Sequence, residues 1–98
     1  MSILDKVKTL FLNEQDNVAI ALSEIKQNNN ILVKAGKVEK KILMKNRIDF
    51  GHKFAVTDIQ KGEDIKKYGE VIGVATESIQ AGEHVHVHNI ESKRGSEE

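Results

Sequence analysis

The sequence predicts a mostly β fold of short strands and tight turns, with at most one or two helical turns. Three observations carry this. A turn unit recurs along the chain. No segment keeps an amphipathic helical spacing for the length of an ordinary helix. Apolar residues come instead in short, β-branched runs. These are bounded by glycine or asparagine, which must make the turns because the 98 residues include no proline.

The recurring unit is clearest where Ala55, Ile59, Gly62 and Ile65 align with Ala75, Ile79, Gly82 and Val85, twenty residues later. A fainter copy is Ala21, Ile25, Asn28 and Ile31. In each, an alanine begins a segment that leads to a buried isoleucine. Glycine or asparagine then takes a left-handed turn conformation that other residues resist. The last aliphatic residue starts the next strand. Three uneven copies are too few for a solenoid.

Taken in order, residues 1–15 read as an N-terminal strand or extension. A strand near Thr9 to Leu12 runs into the polar turn Asn13 to Asn17. Residues 16–92 read as the domain proper. Ile31-Leu32-Val33 and Glu39 to Met44 pair across the turn Ala35-Gly36-Lys37, and Tyr68 to Ala75 is a short strand with a glycine near each end. Gly82 to Asn89 reads as a strand, and residues 93–98 as a flexible polar tail.

Composition narrows the function. Apolar residues make up 39%, with Phe11, Phe50, Phe54 and Tyr68 the only aromatics, so isoleucine and valine carry a modest core. Fifteen cationic and fifteen anionic side chains balance, and aromatics are not interleaved with basic residues. This argues against nucleic acid and against an anionic membrane surface as partners. No cysteine is present, so disulfides and thiolate metal sites are excluded. No apolar run reaches the ~20 residues needed to span a bilayer, and the start does not read as a signal peptide, so a cytoplasmic location is expected. Short exposed strands leave sheet edges through which a homodimer can form.

Three of the four histidines alternate in Gly82-Glu83-His84-Val85-His86-Val87-His88-Asn89. As a strand, this segment places His84, His86 and His88 on one face and sends Val85 and Val87 into the core. Neighbouring imidazoles on that face are ~6.6 Å apart at the backbone, and the outer two ~13 Å. An adjacent pair can therefore share one ion, but all three on a straight strand cannot. A third ligand must come from elsewhere: His52, after Gly51, is one candidate, and a carboxylate or a substrate oxygen serves as well. Such nitrogen and oxygen donors suit divalent iron, zinc or manganese. In Lys66-Lys67-Tyr68-Gly69, Lys67 and Tyr68 can donate a proton or clamp an anion. Asp16-Asn17 either caps a turn or binds a hydroxyl. No nucleophile elbow, phosphate loop or cysteine ligand pattern is present.

The segment from about Asp16 to Gly95 resembles the small domain of the altronate and galactarate dehydratase family, the SAF or β-clip domain. The carrying motifs are Phe50-Gly51-His52-Lys53, then Asp58-Ile59 with Gly62-Glu63, then Lys67-Tyr68-Gly69 with Ile72-Gly73 and Ala75. Gly82-Glu83-His84-Val85-His86 with His88-Asn89, and Asp16 to Ala19 near the start, complete the set. Asn28-Asn29-Asn30 departs from the family's usual Gly-Glu, which predicts a looser turn. The resemblance implies a β-clip-like fold and the small subunit of a lyase that eliminates water from a sugar acid. It also implies a separate large catalytic subunit and a divalent metal, iron(II) first. It places His84, His86 and His88 as metal ligands, His52, Lys67 and Tyr68 as catalytic groups, and Asp16, Asn17 and Asn89 as substrate contacts. The histidines fit either a metal or the substrate carboxylate. A sulfolactate sulfo-lyase small subunit, or a non-catalytic sugar-acid-binding, metal-binding or assembly module, is the alternative.

Overall fold

A computed structural model describes residues 8–92 of the chain, and these contain nine strands and no helix. A four-stranded antiparallel sheet has the order β1-β2-β5-β8, from β1 (Thr9–Leu10), β2 (Val18–Ala21), β5 (Lys53–Ala55) and β8 (His84–Val85). β3 (Asn30–Ala35) and β4 (Val38–Leu43) form a hairpin across Gly36-Lys37, as the run pattern predicts. β6 (Asp64–Lys67), β7 (Glu70–Ala75) and β9 (Ile90–Ser92) make the third sheet. Among the described residues no helix is long and apolar enough to cross a membrane.

The repeat is the framework, and it has a fourth copy that the sequence reading misses. Ile59 and Ile79 exchange both backbone hydrogen bonds, at 2.8 Å each, and so do Ile25 and Ile48. Around the first pair, the Gly62 N–H donates to the Ala75 carbonyl and the Gly82 N–H to the Ala55 carbonyl. Around the second, the Asn28 N–H donates to the Met44 carbonyl and the Gly51 N–H to the Ala21 carbonyl. Met44, Ile48, Gly51 and Phe54 are therefore the missing copy, hidden because methionine stands where the others have alanine. The turn residues Asn28, Gly51, Gly62 and Gly82 all have positive φ, from 72° to 92°. The looser turn expected at Asn28 shows only as a slightly longer closing bond, 3.2 Å from the Asn29 N–H against 2.9 and 3.0 Å from Glu63 and Glu83.

Side-chain alternation along the central sheet separates two cores. Ala19, Ala21, Phe54 and Val56 turn to one face and pack with Ile25, Ile31, Ile42, Met44 and Ile48. Val18, Ala55 and Val85 turn to the other and pack with Ile59, Ile65, Ala75 and Ile79. A sheet buried on both faces explains why Val18–Ala21 is an unbroken apolar run. The expected strand from Gly82 to Asn89 is corrected: pairing stops at Val85, and residues 86–89 form a turn. Val87, expected in the core, is 79% exposed. Ser92 ends β9, and residues 93–98 of the expected tail lie outside the described residues, as does the start of the N-terminal extension, residues 1–7.

Candidate functional site

Register brings the histidines together. β5 pairs with β8 so that Phe54 lies opposite His84, and residues directly opposite share a face. His52 lies two residues before Phe54, after the left-handed turn at Gly51 (φ 86°). The result is a contact of 3.0 Å between His52 Nδ1 and His84 Nε2. At that distance at least one of the two nitrogens carries no proton. The pair therefore holds one proton between its rings, or offers two lone pairs to a cation. Burial, then the neighbouring His52, His88 and His86, lowers the His84 pKa, with Asp49 opposing. His84 is thus biased to the neutral form, the form that accepts a proton or ligates a metal.

His86 and His88 join this pair by a turn, not by strand alternation. The His86 carbonyl accepts from the Asn89 N–H at 2.9 Å and the Ile90 N–H at 3.1 Å. Ring centroids of His84 and His88, which a straight strand would hold ~13 Å apart at the backbone, lie 5.4 Å apart. His86 stacks on His84 at 5.6 Å, and its centroid is also 5.6 Å from that of His52. Both His86 and His88 are exposed. All four imidazoles thus form one cluster, yet among the described residues no three His, Asp or Glu side chains converge as a metal site. The donor chemistry fits a divalent metal only in part: His52 and His84 supply two nitrogens, and further ligands must come from outside this arrangement.

The three expected substrate contacts, Asn89, Asp16 and Asn17, each hydrogen-bond to backbone groups. Asn89 is buried, its Oδ1 accepts from the His86 N–H at 3.0 Å and its Nδ2 donates to the His84 carbonyl at 2.8 Å. It shapes the turn that carries His86 and His88. Asp16 is 4% exposed, and its two carboxylate oxygens each accept at 2.8 Å, from the N–H groups of Tyr68 and Gly69. Asn17 donates to the Asp64 carbonyl and accepts from the Lys66 N–H, both at 2.8 Å, so its amide docks β6. Asp16 thus caps a turn, though a remote one, and Asn17 anchors a strand.

What Asp16 holds is unusual. Lys67 and Glu70 pair across a two-residue loop in which Tyr68 (φ 56°) and Gly69 (φ 79°) are both left-handed. Asparagine is the usual first residue of such a turn, and a residue with a Cβ is strained there by ~1 kcal/mol. Two charge-assisted hydrogen bonds hold the loop. Lys67 Nζ sits 5.1 Å from the centre of the Tyr68 ring, within cation–π range. Together with Lys53, Glu70, Ile72 and Ile90 these residues line a cleft of about 420 Å³. No histidine lines it. Lys67 and Tyr68 thus line a cleft that His52 does not line. Lys53 is the polar residue that sequence reasoning missed. It alternates with Phe54, so it leaves β5 on the face opposite the histidines. Burial, then the charge of Lys67, lowers its pKa.

The architecture is a small all-β domain that presents two polar sites from the two faces of one sheet. Residues 7–93 match the family described as the altronate/galactarate dehydratase SAF domain. The chain belongs to that family, in agreement with the motif resemblance. It is similar to altronate dehydratase of Escherichia coli (strain K12), at 42% identity over 74 residues, which are 76% of this chain and 14% of that protein. The altronate dehydratase of Bacillus subtilis (strain 168) is 38% identical over 78 residues, 80% of this chain and 15% of that protein. The (2R)-sulfolactate sulfo-lyase subunit alpha of Chromohalobacter salexigens is 47% identical over 51 residues, 52% of this chain and 54% of that subunit. The chain thus spans about one seventh of the altronate dehydratases it matches and about half of this lyase subunit.

Proposed function

We propose that this chain is the small subunit of an altronate dehydratase-like lyase, acting with a separate large catalytic subunit to eliminate water from a sugar acid. The observation that carries the proposal is the His52–His84 pair, a proton-holding contact of 3.0 Å on the half-buried edge of a cluster that opens to solvent. Its relatives support the division of labour: the same domain is a small share of two altronate dehydratases and most of the (2R)-sulfolactate sulfo-lyase subunit alpha of Paracoccus pantotrophus (81%).

Elimination needs a base for the proton next to a carboxylate and an acid for the leaving group. His84, biased to the neutral form, is the acceptor of this chain. His52, in contact with it, takes up or returns the proton. His86 and His88 face outward, where a larger subunit and the substrate would meet the cluster. A divalent metal such as iron(II), when bound, supplies Lewis-acid stabilisation of developing oxyanion charge. His52 and His84 are the residues that would hold it, with His86 and His88 beside them, and it would then take the place of the proton they share, leaving the base to the large subunit.

The test is recovery of a large dehydratase-family subunit with the tagged chain from its native extract, followed by turnover assays of the complex on sugar acids. The paired change His86→Ala and His88→Ala removes exposed side chains and should spare the fold. It is expected to lower turnover by removing groups that face the substrate and the large subunit, whereas His84→Gln, which removes the proton acceptor, is expected to lower it about 100-fold or more, the usual share of acid–base catalysis. Near-wild-type turnover of either variant would refute the site. The 47% identity to a sulfo-lyase subunit favours (2R)-sulfolactate as a second substrate to assay on the same complex.

A further inference from the structure

The lysine cleft lies on the sheet face away from the histidines, and its walls converge from four strands of two sheets and a turn. Lys53 comes from β5, Lys67 from the end of β6, Tyr68 from the strained loop, Glu70 and Ile72 from β7, and Ile90 from β9. The two sites are electrostatically distinct. The charges that act on His84 are those of the other histidines and Asp49, whereas the one that acts on Lys53 is Lys67. Two ammonium groups and one carboxylate, Glu70, line the cleft, so its lining carries a net positive charge that attracts an anion. The second observation is Tyr68. An aromatic side chain held at φ 56° by a buried carboxylate is a local rule broken, and such positions concentrate where a side chain must be aimed. The cleft volume of about 420 Å³ suits one small organic molecule.

We propose that this cleft binds a small hydroxy acid, its carboxylate between Lys53 and Lys67, its hydroxyls against Tyr68 and Glu70, and its carbon chain on Ile72 and Ile90. The choice of a hydroxy acid rests on the lyase reading, but the binding needs neither turnover nor a second subunit. The ammonium groups donate to the carboxylate. The Glu70 carboxylate accepts from a hydroxyl, and the apolar wall covers the C–H face.

The experiment is a titration of the isotopically labelled 98-residue chain with gluconate, followed by amide NMR, with sorbitol as the uncharged counterpart. Saturable shifts are expected at Lys53 and across the Lys66–Glu70 loop, with a Kd of about 1 mM, reasonable for a ligand of about a dozen heavy atoms. Sorbitol should leave those amides unmoved, and added salt should weaken binding. Lys53→Met and Lys67→Met keep the aliphatic stems and should each weaken gluconate about tenfold or more. The proposal is overturned if gluconate gives no saturable shift, if sorbitol matches it, if both variants bind like wild type, or if the shifts centre on His84–His88. Failure of the lyase reading looks different: gluconate binding would persist while every reconstituted complex stayed inactive. Turnover with no gluconate shift would overturn the cleft alone.

Discussion

The turn that carries His86 and His88 is fastened by its own last residue, Asn89, three positions from the N–H it accepts. The Tyr68-Gly69 turn is fastened by Asp16, 52 and 53 positions away in sequence. The first lock closes within one segment and holds whenever β8 is in place. The second exists only after the start of β2 has packed beside the β6–β7 hairpin. The histidine turn is therefore locally encoded, whereas the lysine cleft is a product of the whole fold. The locks differ in kind as well. Asn89 makes neutral hydrogen bonds, while Asp16 makes two charge-assisted ones, which are about twice as strong.

Removing the locks should expose that difference. Asp16→Ala is expected to cost about 4 kcal/mol in urea unfolding, for two charge-assisted bonds and a buried void. Asp16→Asn should rescue little, because an amide has one acceptor oxygen for two N–H donors. Asn89→Ala should cost about 2 kcal/mol, with amide shifts confined to residues 84–90. Equal losses, or shifts from Asn89→Ala that spread through the hairpin, would break the contrast between a local and a remote lock.

A smaller effect separates the two clearest repeats. Gly62 and Gly82 have the same backbone, at φ 90° and 92°. A Cβ at Gly62 meets nothing, but one at Gly82 runs into the backbone of Leu43, Met44 and Lys45. Gly62→Ala should therefore cost about 1 kcal/mol for the left-handed conformation, and Gly82→Ala about 3 kcal/mol with the added overpacking. Thermal unfolding of both variants checks this, and equal losses would show that the β3–β4 end of the molecule yields to the turn.

The smallest effect concerns pH. The folded-state pKa of His84 is lowered below the ordinary 6.5, so the fold favours its neutral form. Its contribution is full above 6.5 and is lost as pH falls from there through the lowered value. In metal-free buffer the wild type should thus lose more stability on acidification than His84→Gln. Parallel stability curves would place His84 in an environment no less wet than the unfolded chain.

Much of the site was legible as residue types and little of it as geometry. The histidines, Lys67, Tyr68, Asp16, Asn17 and Asn89 all stand where polar groups matter. Alternation in His84 to His88 reads as a strand because period two is the strand's signature. Pairing ends at Val85, however, because its neighbour Lys53 is the first residue of β5 and His52 already belongs to the preceding turn. Asn89 then outcompetes the ladder for the His86 N–H, as short polar side chains do at turns. Asp16 and Asn17 read from the residues as a turn cap or a hydroxyl contact, with nothing local to decide between them. Their partners lie across the fold. Lys53 stands in the Phe50-Gly51-His52-Lys53 motif, but nothing in its residue type sets it apart from the other fourteen cationic residues as a site. Alternation relative to the buried Phe54 was the one clue to its face.

By itself the sequence determined the all-β character, the repeat and the turn positions. These follow from short-range preferences: glycine and asparagine tolerate positive φ, and aliphatic residues at fixed spacing bury together. Only the tertiary structure decided that the copies close in reciprocal pairs, that His52 meets His84, and that Lys53 and Lys67 share a cleft on the opposite face. Those contacts join segments far apart in the chain. Register, not local propensity, sets which side chains meet, because moving a strand by one residue turns every side chain to the other face.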